Sequence, residues 1–374
     1  MIYKNFQGEK LSALGFGAMR LPVLNEDADA IDEKTTAEMV AYAFEHGVNY
    51  FDTAWGYHGG NSERVMGSIL KKYDRNSFYL ATKFPGYDHS NMGKVEEIFE
   101  KQLEKCGVDY FDFYLFHNVC ELNIDGYLDR RFGIMDYLKK QKENGRIRHL
   151  GFSAHGNIDT IRRFLDAYGK EMEFCQLQIN YIDWAFQGAE DKVNLLKEGD
   201  IPVWVMEPLR GGKIAELSPE IMAELKQYRP EETAVGWAFR FLQSIDEVVV
   251  TLSGMSDMQQ IKDNIAIYET EKPTDRKETE KLMTIGEKLM KGVPCTSCRY
   301  CVSHCPQELN IPELLDLYNE HIFTDGGFMA LSAIQAMDED KRPSACEACE
   351  SCVEVCPQNI NIPEILADFV EKLK

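Results

Sequence analysis

No run in the chain approaches the ~20 consecutive apolar residues of a membrane span, so a membrane-embedded protein is not expected. The N-terminal stretch MIYKNFQGEK lacks the basic-then-apolar pattern of a secretory leader, and a soluble, cytoplasmic protein is expected. Basic residues are in short supply. Lys and Arg number 41 against 62 Asp and Glu, a formal net charge of −21. That balance argues against nucleic-acid and anionic-membrane partners. No Gly-x-Gly-x-x-Gly follows a candidate strand, which removes the main signature of an open dinucleotide-binding sheet.

Cysteine, by contrast, is concentrated. Eight of the eleven cysteines fall in two runs of identical spacing, Cys295-x-x-Cys298-x-x-Cys301-x-x-x-Cys305-Pro306 and Cys346-x-x-Cys349-x-x-Cys352-x-x-x-Cys356-Pro357. Thiolates this close hold three corners of one iron–sulfur cube from a single loop, and the fourth cysteine, ahead of proline, ligates the other cube. Cys295, Cys298, Cys301 and Cys356 are therefore assigned to one 4Fe–4S cluster, and Cys346, Cys349, Cys352 and Cys305 to a second. Zinc sites usually come as separated Cys-x-x-Cys pairs totalling four ligands. Disulfides fit poorly with a large chain that has no secretory signal. Of the remaining cysteines, Cys106 and Cys175 read as core residues, and Cys120 lies close enough to His117 to border an active site.

Upstream, short apolar runs alternate with amphipathic segments. Candidate strands are 12–17, 49–52, 78–83, 111–116, 149–153, 174–178, 202–206 and 247–251, with helical patterns over 35–46, 60–72, 93–106, 127–143 and 157–168. About eight strand–helix units in ~250 residues point to a closed (β/α)₈ barrel. The predicted architecture is thus α/β: a barrel over 1–270, a linker helix over 271–292, and a small, mainly α-helical ferredoxin-like domain over 293–374. In that last part CPQELNIPELLDLYNE (305–320) recurs as CPQNINIPEILADFVE (356–371), with a period of 51 residues. Pro312 and Pro363 suit the first turn of a helix in each copy. The insert 321–345 has no role legible in the sequence.

Polar residues that core packing does not require stand at successive strand ends: Asp52, Tyr57 in the following loop, Lys83 and His117. Carboxyl ends of barrel strands converge on one mouth. Reducing a carbonyl requires a proton at oxygen, and tyrosine is a poor acid with an ordinary pKa near ~10. An adjacent Lys83 would lower it, Asp52 would anchor Lys83, and His117 would orient the carbonyl.

The segments NYFDTAWGYHGGNSERVMG (49–67), LATKF (80–84) and YLFHN (114–118) resemble the aldo/keto reductase family over about residues 10–266. Fusion to two ferredoxin-type motifs resembles its iron–sulfur branch. The resemblance implies a barrel, a nicotinamide cofactor across the mouth, and the tetrad Asp52, Tyr57, Lys83 and His117. It also implies cofactor contacts at Ser153, Gln176, Leu209, Arg210, Gly212, Ser253 and Asn264. Met206 stands where the family stacks a tyrosine on the nicotinamide, and Ala154 where it has an asparagine. The lysine and arginine that grip the 2′-phosphate of NADPH align with Gly254 and Gln260, neither of which pairs with a phosphate dianion.

A nicotinamide delivers two electrons and each cluster takes one, so FMN is a further candidate cofactor. The expected function is oxidoreduction of a small carbonyl or alcohol, with the clusters relaying electrons to or from a ferredoxin-like partner. The alternative is an electron-transfer or redox-sensing protein whose barrel binds a nucleotide or flavin with little turnover. Trp55, His58 and 118–126 are the expected substrate lining.

Overall fold

The computed structural model describes residues 1–290, 292–293, 295, 299, 301–356 and 358–374. It divides into two compact units, Met1–Leu282 and Met283–Lys374. The division falls inside the helix Arg276–Leu289.

The first unit opens with a hairpin of β1 (Tyr3–Phe6) and β2 (Glu9–Ser12), which the sequence reading did not anticipate. Its two-residue turn places Gln7 and Gly8 at φ 50° and 93°, as a twisted hairpin requires. Eight parallel strands then close a barrel: β3 (Leu14–Gly17), β4 (Tyr50–Asp52), β5 (Tyr79–Phe84), β6 (Phe111–Val119), β7 (Ile147–Ala154), β8 (Cys175–Gln178), β9 (Val203–Met206) and β10 (Val248–Gly254). Each coincides with an expected strand to within a few residues. Tyr50, Phe113, Phe174, Trp204 and Val250 fill one buried cluster together with Phe6 of the hairpin. Phe6 meets Trp204 edge-on at 5.0 Å, so the hairpin seals the apolar interior with an aromatic plug.

One helical expectation is corrected. The segment 127–143 is broken into Ile124–Leu128, a short turn Arg130–Phe132 and the helix Ile134–Glu143. Gly133 sits at φ 63°, a left-handed conformation that interrupts any helix through it.

The second unit repeats itself in three dimensions. The helices Ile311–Thr324 and Ile362–Lys372 each carry proline in the first turn. Asn310 donates to Glu313 at 2.6 Å, and Asn361 donates to Glu364 at 2.7 Å, so both starts are tied alike. Leu309 and Ile360, Ile311 and Ile362, Leu315 and Leu366 enter the same buried core, which Cys301 and Cys352 also join. The insert contributes the helix Phe328–Ala336, whose Ala330 and Ile334 complete that core.

Candidate active site

Asp52 ends β4, Lys83 lies in β5 and His117 in β6, while Tyr57 opens the tight turn Tyr57–Gly60. Pairing of Asp52 with Ala81 and of Lys83 with Leu115 sets these residues on neighbouring strands at one end of the barrel. The register of β6 against β7 shifts between Phe116 and Val119, and Asn118 takes a φ of 60°. A bulge of this kind re-aims a side chain, here at His117. The bulge is held by Tyr127, whose hydroxyl donates to the His117 carbonyl at 2.7 Å.

Lys83 is fully buried and its ammonium donates three ways: to Asp52 Oδ1 at 2.6 Å, to the Thr53 carbonyl at 2.9 Å and to Tyr57 Oη at 3.5 Å. Burial disfavours the ammonium, yet Asp52 and Tyr57 more than offset it, so Lys83 stays charged. The expectation for Tyr57 is corrected in sign. Burial outweighs the attraction of Lys83 and raises the phenol above its ordinary value. At neutral pH the tyrosine is therefore held as the protonated acid. His117 stands edge-on to Tyr57 at 6.0 Å, and burial, then Lys83 and His155, push it well below the ordinary histidine value. It is a neutral imidazole with an unpartnered Nδ1.

Behind the set, buried Glu63 accepts from Thr82 and Gln102 at 2.7 Å each, and from Lys105 at 2.6 Å. Gln102 also donates to the Lys83 carbonyl at 3.0 Å. This network fixes the backbone on which Lys83 rides.

A cleft of about 340 Å³ adjoins Asp52 and Tyr57. Gln176, Met206, Leu209, Gly212, Ser253, Gly254, Gln260 and Asn264 all line it, so most of the expected cofactor positions converge there. Gln176 donates to Met206 Sδ at 3.6 Å and leaves its buried Oε1 unpartnered, an acceptor free for an amide N–H. Two expected contacts are turned elsewhere. Ser153 Oγ accepts the Asn118 N–H at 2.8 Å, supporting the bulge. Arg210 is buried against Asp183 at 3.1 Å and does not line the cleft. The start of helix Met258–Ile267 beside the cleft is tied up by its own side chains. Asp257 accepts the Gln259 and Gln260 amides at 2.8 Å each, and Gln260 Oε1 accepts the Ser256 N–H at 2.8 Å.

Residues not anticipated include Arg20, Glu207 and Asp263 in the cleft wall, and Tyr87 beside His117 at 5.1 Å. Arg20 donates to Glu207 at 3.3 Å. It follows β3, and the general rule about strand ends would have flagged it. His58, expected in the substrate lining, turns both ring nitrogens to the loop 18–32.

In the second unit, Cys305 lines one small cavity with Cys346, Cys349 and Cys352, closed by Leu309, Ile311, Ile362 and Leu366. This is the cross-supplied set expected for the second cluster, four thiols in an apolar pocket. Cys295, Cys301 and Cys356 pack into the same core, and Cys298 lies outside the described residues. Among the described residues no three ligand side chains converge on a single-ion site. A cube differs in taking one thiolate per iron.

Residues 13–285 match the model of the aldo/keto reductase family. The chain belongs to that family. Residues 294–361 match a 4Fe-4S dicluster domain. Among curated relatives, the NADH-specific methylglyoxal reductase of Escherichia coli is 24% identical over 302 residues, 68% of this chain and 89% of that protein. A probable aldo-keto reductase 1 of Glycine max is 30% identical over 55% of this chain, which spans 58% of that relative. The holo form of aldo-keto reductase AKR11C1 from Bacillus halodurans superposes with a TM-score of 0.62 at 22% identity, covering 76% of this chain and 96% of its own. That likeness shows a shared barrel fold. Among the described residues no helix of this aldo/keto reductase is long and apolar enough to cross a membrane.

Proposed function

We propose that the barrel reduces a small carbonyl compound, with Tyr57 as the proton donor. The observation that carries this reading is the fully buried Lys83 ammonium, bonded to buried Asp52 at 2.6 Å and reaching Tyr57 Oη, at the edge of the cleft, at 3.5 Å. When bound, a reduced nicotinamide supplies hydride to a carbonyl carbon, and 4Fe–4S cubes accept or release single electrons. Tyr57, protonated at neutral pH, hydrogen-bonds the carbonyl oxygen and gives up its proton as negative charge develops there. Lys83 stabilises the phenolate left behind, so its help is concentrated in the transition state. Asp52 keeps that ammonium in place, and neutral His117 donates or accepts a hydrogen bond without competing as an acid.

The cleft fits a dinucleotide better than a flavin mononucleotide. Its walls are apolar at Met206, Leu209, Val235 and Leu252, and Gln176 offers a free acceptor. Arg20, the one Lys or Arg among the described lining residues, is already paired with Glu207, a poor setting for the terminal phosphate dianion of FMN. The same argument selects NADH over NADPH. Asp263 and the Asp257 cap place carboxylates near the helix start where a 2′-phosphate would sit.

In the second unit, Cys305, Cys346, Cys349 and Cys352 would hold one cluster, and Cys295, Cys298, Cys301 and Cys356 the other. Electron exchange with a ferredoxin-like partner extends this reading.

The test is steady-state turnover of wild type and Tyr57→Phe with aldehydes, ketones and quinones, using NADH and NADPH. The variant should lose about 10²–10⁴-fold in kcat/KM with little change in nucleotide affinity. Undiminished turnover would remove Tyr57 from the mechanism.

A further inference from the structure

The turn that carries Tyr57 is built from three successive left-handed residues: His58 at φ 51°, Gly59 at 59° and Gly60 at 90°. The two glycines adopt this conformation freely, but a histidine does not. What holds His58 there is its ring. Leu21 N–H donates to Nε2 at 3.1 Å, so Nε2 carries no proton, and Nδ1–H donates to the Ala28 carbonyl at 2.5 Å. Both nitrogens are spent on one loop, residues 18–32, and neither is left for a substrate.

The same loop reaches the nucleotide cleft from its other side. Arg20, next in sequence to the Leu21 amide that His58 holds, donates to Glu207 at 3.3 Å and to the Gly211 carbonyl at 3.5 Å. Its own carbonyl accepts from Ser256 Oγ at 2.9 Å. Met19 and Arg20 line the cleft. Close approach of loop and turn depends on Gly59, where a Cβ would fall 2.6 Å from the Asp29 carboxyl carbon. Asn61 adds a bond to the Asp29 carbonyl at 3.2 Å. Loop 18–32 thus spans from the cleft rim to the tyrosine turn, and His58 is the side chain of that turn gripped at both ring nitrogens.

We propose that His58 is a positioning residue that couples occupancy of the nucleotide cleft to the placement of Tyr57. A nucleotide bound against Met19 and Arg20 orders the loop, and the two ring bonds transmit that order to the turn. The inference rests on the reading of Tyr57 as proton donor.

The experiment is hydrogen exchange on the full chain with its clusters, with and without whichever of NADH or NADPH sustains turnover, alongside kinetics. In wild type the nucleotide should slow exchange in both 18–32 and 54–61. His58→Gly keeps the left-handed backbone and removes the ring. It should confine the slowing to 18–32 and lower kcat about ten- to a hundredfold, the scale of a displaced catalytic group, with a much smaller change in nucleotide affinity. His58→Gln, which can accept from Leu21 and donate to Ala28, should restore part of both effects. Slowing in 54–61 that persists in His58→Gly, or kcat unchanged in it, would overturn the coupling. If His58→Gly does not fold, the wild-type exchange still decides: protection confined to 18–32 overturns it. Full turnover by Tyr57→Phe would instead overturn the proton-donor reading, a separate result.

Discussion

Replacing Lys83 with methionine removes the ammonium while keeping most of the volume of the stem. All three of its hydrogen bonds vanish together: Asp52 Oδ1, the Thr53 carbonyl and Tyr57 Oη. Asp52 is then a buried carboxylate with no cation, and its Oδ2 already has no partner among the described residues. Removing one member of a buried ion pair costs about 3–5 kcal/mol, because the surviving charge is uncompensated. In a unit of this size each kcal/mol lowers Tm by about 2–4 °C, so a drop on the order of 10 °C is expected. The double variant Asp52→Asn/Lys83→Met leaves no stranded charge and should recover at least half of the loss, a coupling read from a double-mutant cycle.

All four tryptophans, Trp55, Trp184, Trp204 and Trp237, lie in the barrel unit, so urea unfolding followed by tryptophan fluorescence reports on it directly. The pH dependence has a defined sign. Lys83 is raised in the folded state, so its contribution is complete below the unfolded lysine value of ~10.4 and is lost as pH rises through the folded one. The gap between wild type and Lys83→Met should therefore close in strong alkali. A Lys83→Met protein within about 1 kcal/mol of wild type at pH 7 would refute the buried-charge reasoning.

His155 is held at about 4, chiefly by burial and then by Lys192. Its folded value lies below the unfolded one of ~6.5, so stability is lost as pH falls from there toward 4, up to about 3 kcal/mol. His155→Asn should flatten that limb of the urea midpoint against pH, and an unchanged slope would count against it. Cys305→Ala should cut iron from about eight to about four atoms per chain, with loss of the paramagnetic signal of one cluster; full iron content would exclude Cys305 as a ligand. Gln260→Arg frees the Ser256 amide and adds a bidentate phosphate donor, so the ratio of kcat/KM for NADPH over NADH should rise about tenfold. A constant ratio would mean that the helix start does not read the 2′-phosphate.

Asp52, Tyr57, Lys83 and His117 were legible because strand-end position follows from local apolar runs, and strand ends of a barrel meet at one mouth. Gln176, Met206 and Asn264 came from the family resemblance and do line the cleft. Arg210 did not follow, since its partner Asp183 is distant in sequence and meets it only in the folded chain. Arg20 follows β3 as the strand-end rule requires, but its pairing with Glu207, distant in sequence, exists only in the folded chain.

Short-range chemistry is what the sequence determined by itself. The short apolar runs of the strands, the spacing of the cysteines and the 51-residue repeat are read from the order of residues alone, and they survive folding unchanged. The tertiary structure alone decided the direction in which the Tyr57 phenol is shifted. Two opposing effects act on it, attraction by Lys83 and loss of solvent, and the second is the larger. Desolvation depends on everything packed around the phenol, so no local pattern encodes it.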